Sequence, residues 1–178
     1  MIWRFIFAVV ILLAPLSAAP NHALAQDATV DERSRIISVA KELIAEVSFV
    51  TLITLDETGH PQARTMEPFP PEEDLIVWMG TNKNSAKVGR IGADARATLH
   101  YQLADGNGYV SMTGRAELVD DESNKSKYWM PHWDEYYPDR EGTYTLIKFT
   151  PERLEIVSYR HALIGDAVTW EAPGFDFH

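Results

Sequence analysis

Eight residues, GTNKNSAK from Gly80 to Lys87, bring together two lysines, a threonine, two asparagines and a serine directly after the apolar run DLIVWM. Those types suit an anion. A phosphate needs several hydrogen-bond donors converging from one side, preferably with a cation among them. Thr81, Asn82 and Ser85 donate from short side chains. A helix starting near Ser85 would aim its first backbone N–H groups at the same point, and Lys87 would add charge on its first turn. The same residue types also make an ordinary solvated turn, so the eight residues alone leave both readings open. A second cation supports the first reading. Arg64, in QARTMEP, precedes the PFPPEED loop and the apolar run, so neighbouring strands would bring its planar fork, which donates two parallel bonds, to the same anion. The rival role for Arg64 is a surface pairing with Glu67.

Other familiar chemistry is absent from the sequence. His60, His100, His132, His161 and His178 form no HxxxH or HxH pair, so no metal site is expected. There is no GxSxG elbow, Walker loop or GxGxxG. The acidic runs Glu72-Glu73-Asp74 and Asp120-Asp121-Glu122 read as solvated loop and helix-start residues. Cysteine is missing altogether, which removes disulfides, thiolate ligands and cysteine nucleophiles.

The elements that must position the cations belong to a chain of 178 residues, 46% hydrophobic and 24% charged, with a formal net charge of −10. That length suits one folded domain. The acidic balance argues against nucleic acid and anionic lipid as partners, so an anion site must be a local positive island. Residues 1–25 have the layout of a secretory signal peptide: Arg4, the apolar segment Phe5 to Leu16, then Ala23-Leu24-Ala25 before Gln26. The apolar segment is 12 residues, well short of the ~20 of a membrane span. The expectation is therefore an exported domain, residues 26–178, in a bacterial periplasm and without a membrane partner after cleavage.

Along that domain, TVDERSRIISVAKELIAEV (29–47) carries apolar residues at helical spacing, with Thr29 and Glu32 as a capping box. SFVTLITL and QARTMEP read as a hairpin across DETGHP, and DLIVWMG as a third strand. NSAKVGRIGAD reads as a short helix weakened by two glycines. ARATLHYQL and YVSMTGRAELV follow as strands across the ADGNG turn, then a helix at DDESNKSKYWM, then YTLIKFT and ERLEIVSY as two strands separated by a Thr-Pro turn. Six or seven antiparallel strands with few helices imply an α+β fold whose sheet closes on itself, because an open sheet of that length would leave exposed edges.

The order ARTMEP, DLIVWMGTNKNSAKVGRIGADARATLHYQ, GYVSMTGRAELVDD resembles the FMN-binding split barrel of the pyridoxamine 5′-phosphate oxidase superfamily, and within it the general stress protein branch. The likeness covers about residues 30–160. It implies a six-stranded antiparallel split β-barrel with flanking helices, FMN at a homodimer interface, and redox work on a small molecule. By position it implies Arg64, Ser85 and Lys87 on the FMN phosphate, with Thr81 and Asn82 beside them. It further implies Thr65 and Met66 at the isoalloxazine edge, and the Trp78-Met79 strand end beneath the rings. Trp129 and Trp133, in the aromatic loop after residue 127, are either a lid over the ring or plain packing. The C-terminus departs from the oxidases proper. Arg160-His161 is adjacent rather than Arg-x-His, so oxidation of pyridoxamine phosphate is not expected. Haem and the deazaflavin F420 serve other branches, and no axial haem ligand stands out. The alternative to a flavin oxidoreductase is a non-enzymatic ligand-binding or stress protein on the same fold.

Overall fold

The computed structural model describes residues 30–177. The expected signal peptide, its cleavage point and the Thr29 cap lie outside the described residues. Helix α1, Val30–Ala45, turns one apolar stripe inward, with Ile36, Val39, Ala40, Leu43 and Ile44 all buried. Such a stripe at three- and four-residue spacing is what a helix on a sheet requires.

Six strands then curl into an antiparallel barrel in the order β2-β1-β4-β5-β6-β3. They are β1 Val50–Leu55, β2 Pro61–Met66, β3 Val77–Asn82, β4 Arg96–Gln102, β5 Gly108–Val119 and β6 Tyr144–Ser158. The two ends of this path meet just past β2. Phe69 N–H donates to Trp78 O at 2.8 Å, and Pro68 bridges to Met79. Between β2 itself and the end of β3 the wall stays split.

Register sorts the side chains. One row runs Arg64–Leu52–Leu99–Met112–Leu154–Phe175 across β2, β1, β4, β5, β6 and the short β7, Gly174–Asp176. Every member but Arg64 is a buried core residue. Burying each of the aliphatic ones stabilises the fold by about 1.5–3 kcal/mol relative to exposure. The next row, Thr65–Thr51–His100–Ser111–Glu155, faces outward. The alternation of β1, β4 and β5 thus fixes which face is core, and it places a single arginine on the inner side.

Two expectations need correction. YTLIKFT and ERLEIVSY are one 15-residue strand, β6, rather than two strands across a turn. Pro151 sits opposite Gly114 where the ladder shifts register, and a Cβ on Gly114 would lie 2.2 Å from Thr150 O. The proline is accommodated at a bulge, where the missing N–H costs no ladder bond. Thr81 and Asn82 are strand residues of β3, paired with Thr145 and Tyr144, rather than part of the turn after it. β7 had no counterpart in the sequence reading; three residues carry too little pattern to register.

Helix α2, Ala86–Ala93, packs on β1 and β5 and sends Ile91 into the core. After β5 come α3, Glu122–Lys127, a 3₁₀ turn at Pro131–Glu135, and α4, Arg140–Thr143. They carry a second, aromatic cluster of Trp78, Tyr128, Trp133 and Tyr144 against β3 and β6.

Candidate functional site

The split between β2 and β3 has Arg64 on one side and Lys87 on the other, and neither makes an ion pair among the described residues. Arg64 reaches from the inner row of β2. Its Nη2 donates to Gln62 O at 2.8 Å, while Nη1 is buried with no partner among the described residues. From the far side, Lys87 on the first turn of α2 donates through Nζ to Thr81 Oγ1 at 3.0 Å. Thr81 Oγ1 in turn lies 3.4 Å from Ser85 Oγ. Ser85 is the N-cap of α2, yet its side chain makes no capping bond. At this helix start the Ser85 and Val88 N–H groups donate to Asn82 O and Ser85 O at 3.0 and 2.9 Å, while the Ala86 and Lys87 amides show no backbone acceptor among the described residues.

Electrostatics agree with the geometry. Burial first, and the Arg90 guanidinium second, hold Arg64 below its ordinary value. Burial first, and Arg64 second, do the same to Lys87. Arg64, Lys87 and Arg90 form no ion pair among the described residues; Arg33, Arg35, Lys41, Arg115, Arg140 and Lys148 form none either, and what sets Arg64 and Lys87 apart is that each is partly buried beside another cation. In a chain with 26 acids and 16 bases, mutually repelling cations that attract no carboxylate form a site disposed to hold an anion. Arg90 was missed in the sequence. The signal was available, since it lies three residues after Lys87 and so on the same helix face.

The structure brings Arg64, Thr81, Ser85 and Lys87 together. Asn82 is adjacent, with its Oδ1 accepting from Asn84 N–H at 2.8 Å to shape the turn into α2. Thr65 is exposed on the outer face, next to the split. Met66 and Met79 are core side chains, at 8% and 0% exposure, leaving only backbone to offer a ligand.

Trp129 and Trp133 lie in the aromatic cluster, their rings edge-to-face at 5.9 Å. Trp133 Nε1 donates to Glu67 Oε2 at 2.7 Å, and the same oxygen lies 3.0 Å from His132 Nε2. Burial pushes the Glu67 carboxyl up, but the bonds from Trp133 and His132 outweigh it, and the net shift is downward. The Trp133 ring fills the space in front of Gly80: a Cβ there would lie 2.4 Å from it. These tryptophans form a fixed wall beside the split, tied to the residue that follows β2.

A groove of about 790 Å³ lies between α2 and the β1–β2 turn, its charged lining made of Arg90 and Arg96 with Asp56, Glu57 and Asp94. Among the described residues no group of three or more histidines, cysteines or acids is placed to hold a metal, and no helix is long and apolar enough to cross a membrane.

Residues 36–161 match the family described as pyridoxamine 5′-phosphate oxidase like. Among solved structures, the chain is similar to a Clostridium acetobutylicum protein related to general stress protein 26 of B. subtilis, of the pyridoxinephosphate oxidase family. Identity is 20% over 80% of this chain and 95% of that one, with a TM-score of 0.67. General stress protein 26 of Bacillus anthracis matches at 20% identity over 69% of this chain and 94% of that one, with a TM-score of 0.60. A heme binding protein from Mycobacterium smegmatis matches at 17% identity over 69% of this chain and 54% of that one, with a TM-score of 0.55. At these identities the structural likenesses establish the fold. No curated protein matches the chain.

Proposed function

Because the chain belongs to the pyridoxamine 5′-phosphate oxidase-like family, we propose that it is an exported, homodimeric FMN-binding protein acting as an oxidoreductase on a small molecule. The observation that carries this reading is the buried, unpartnered Nη1 of Arg64 facing the Lys87–Thr81–Ser85 cluster. These residues fit a phosphate monoester. The guanidinium and ammonium supply charge, the Ser85 and Thr81 hydroxyls supply short donors, and the α2 N-terminus adds backbone N–H groups. Asn82 shapes the turn that presents them. Thr65 and Met66 would offer backbone to the ring edge, Met79 backbone only, and Trp129 with Trp133 a side wall. Bound FMN would supply hydride or single-electron chemistry, and the protein would supply position, electrostatics and shelter from water. The outward row Thr65–Thr51–His100–Ser111–Glu155, with two titratable residues, is the face on which a second copy would dock.

A second reading, a ligand-binding protein without catalysis, draws support from the same wall. Glu67, directly after β2, is engaged with His132 and Trp133. One experiment separates these readings. Purified protein is mixed with FMN, passed through gel filtration and scanned. Flavin absorption near about 370 and 450 nm, its detail tuned by the protein, co-eluting with a dimer and bleached by a nicotinamide reductant, supports the oxidoreductase. Bound flavin that no reductant bleaches supports the binding protein. Protein that leaves all FMN behind refutes the flavin assignment.

A further inference from the structure

Two ties cross the split between its closed end and the anion site. Backbone makes the first: Pro68 bridges to Met79, and Phe69 N–H donates to Trp78 O at 2.8 Å. Side chains make the second, one residue nearer the site on each side. Glu67 Oε2 accepts from Trp133 Nε1 at 2.7 Å, and the Trp133 ring lies against Gly80, where a Cβ would come within 2.4 Å of it. Gly80 in turn precedes Thr81, whose hydroxyl accepts from Lys87 Nζ. Glu67 thus sets the spacing between the strand that carries Arg64 and the strand end that carries Thr81.

The second tie depends on charge. Oε2 of Glu67 is one acceptor for two donors, since His132 Nε2 also lies 3.0 Å from it. Bonds to an ionised acceptor are roughly twice as strong as neutral ones. His132 donates through Nε2 both as imidazolium and as the neutral tautomer protonated there, so its own titration leaves the tie in place. Protonating Glu67 does not. A neutral carboxyl is the weaker acceptor, and a proton on Oε2 would set donor against donor. Neighbouring charged groups are engaged elsewhere. Glu72 accepts from Tyr128 and Lys127, Arg140 and Lys148 lie over Trp129 and Trp78, and Arg64 bonds to Gln62 O. Asp134 and Glu135 of the same turn, with Glu73 and Asp74 of the loop after β2, make no bond to Glu67, His132 or Trp133 among the described residues. Burial pushes the Tyr128, Tyr137 and Tyr144 phenols up, so they stay neutral in acid.

We propose that Glu67, His132 and Trp133 form an acid-sensitive latch, which holds the anion site at its binding width while Glu67 is ionised and lets the ligand go when Glu67 is protonated. The bonds from Trp133 and His132 outweigh burial and keep the Glu67 carboxyl below its ordinary value. The tie is therefore complete above the usual carboxylate range and is lost as pH falls through the lowered value. Opening weakens the ligand by the fraction of molecules left competent to bind it. This inference rests on the flavin reading above and adds its regulation, since the ligand released is FMN.

The test compares wild type, Glu67→Gln and His132→Ala by tryptophan emission without ligand and by FMN binding, from neutral to acid pH. Glutamine is isosteric and keeps a neutral acceptor, so Glu67→Gln represents the released form at neutral pH whether or not wild type survives acid. It should show a shifted emission at neutral pH and no acid transition of its own. It should bind FMN roughly fivefold more weakly, the difference between a charged and a neutral bond. The FMN phosphate titrates as well, with a second pKa of about 6, so affinities are read as the ratio of wild type to Glu67→Gln at each pH. That ratio should fall toward one in acid. His132→Ala should move the emission transition to higher pH, because one donor to the carboxylate is gone. A merely structural Glu67 would change the melting temperature and leave the ratio flat. If Glu67→Gln binds FMN like wild type at neutral pH, if the ratio is flat, or if His132→Ala leaves the transition in place, the latch is overturned and the flavin reading stands. If no form binds FMN, the flavin reading fails and emission decides the latch alone: an acid transition that Glu67→Gln abolishes supports it, and one that Glu67→Gln retains overturns it.

Discussion

Replacing Arg64 with methionine should stabilise the unliganded protein and weaken its ligand, and both effects can be sized. Arg64 stands in a row that is otherwise apolar, beside the fully buried Leu52. Its buried Nη1 has no partner, and leaving such a group unsatisfied costs about 1–3 kcal/mol. Methionine keeps an unbranched apolar stem for packing and removes the stranded charge. The lost bond to Gln62 O (2.8 Å) returns about 1 kcal/mol, so the net gain is on the order of 1 kcal/mol. For a domain of this size that is roughly 2–4 °C in melting temperature. The loss of charged hydrogen bonds to a phosphate, about 1.5–3 kcal/mol, weakens FMN by roughly 10- to 150-fold. Thermal melts without ligand and calorimetric titration with flavin read the two effects separately. A variant that melts lower than wild type and binds flavin equally well would show that Arg64 is a structural residue and that the anion assignment is wrong.

Lys87 lies below its ordinary value through burial and the neighbouring Arg64, so its ammonium is lost earlier than an exposed lysine's as pH rises. Flavin affinity should therefore fall in the alkaline range ahead of ordinary lysine titration. Lys87→Arg should carry the affinity to higher pH, and identical profiles for the two proteins would count against a charged role for residue 87. At Gly80 a Cβ would lie 2.4 Å from Trp133 and 2.8 Å from Tyr144. Gly80→Ala should destabilise by about 1–3 kcal/mol through overpacking, with a shift in tryptophan emission. A stability within error of wild type in urea denaturation would mean that the wall is loose.

Much of this was legible in the sequence because the signals were local. The α1 stripe, the alternation of β1, β4 and β5, and the donors at Thr81, Ser85 and Lys87 all announce themselves within a few residues of chain. What failed depended on distant partners. Thr150-Pro151 has the composition of a turn, and only the opposing Gly114 makes it a bulge inside one strand. The closure of the barrel rests on Pro68 meeting Met79, a contact with no pattern of its own. Trp133 was readable as a lid or as packing until Gly80 was seen to leave room for its ring. Arg64 was found by type, but its significance comes from the register that sets it among core residues.

The split in the barrel wall also makes β2 the exposed selvage of the sheet. Residues 61–66 bond to β1 alone, and the wall is sewn together only farther along, at Pro68 and Phe69. An unpaired strand edge invites joining by another chain. An anion held between Arg64 on one lip and Lys87 on the other would lace those lips together and draw the equilibrium toward the closed form by mass action. Were the chain exported unfolded, as proposed above, cofactor supply would then govern survival as much as activity. Empty molecules would be the ones whose seam lies open to proteases and to one another.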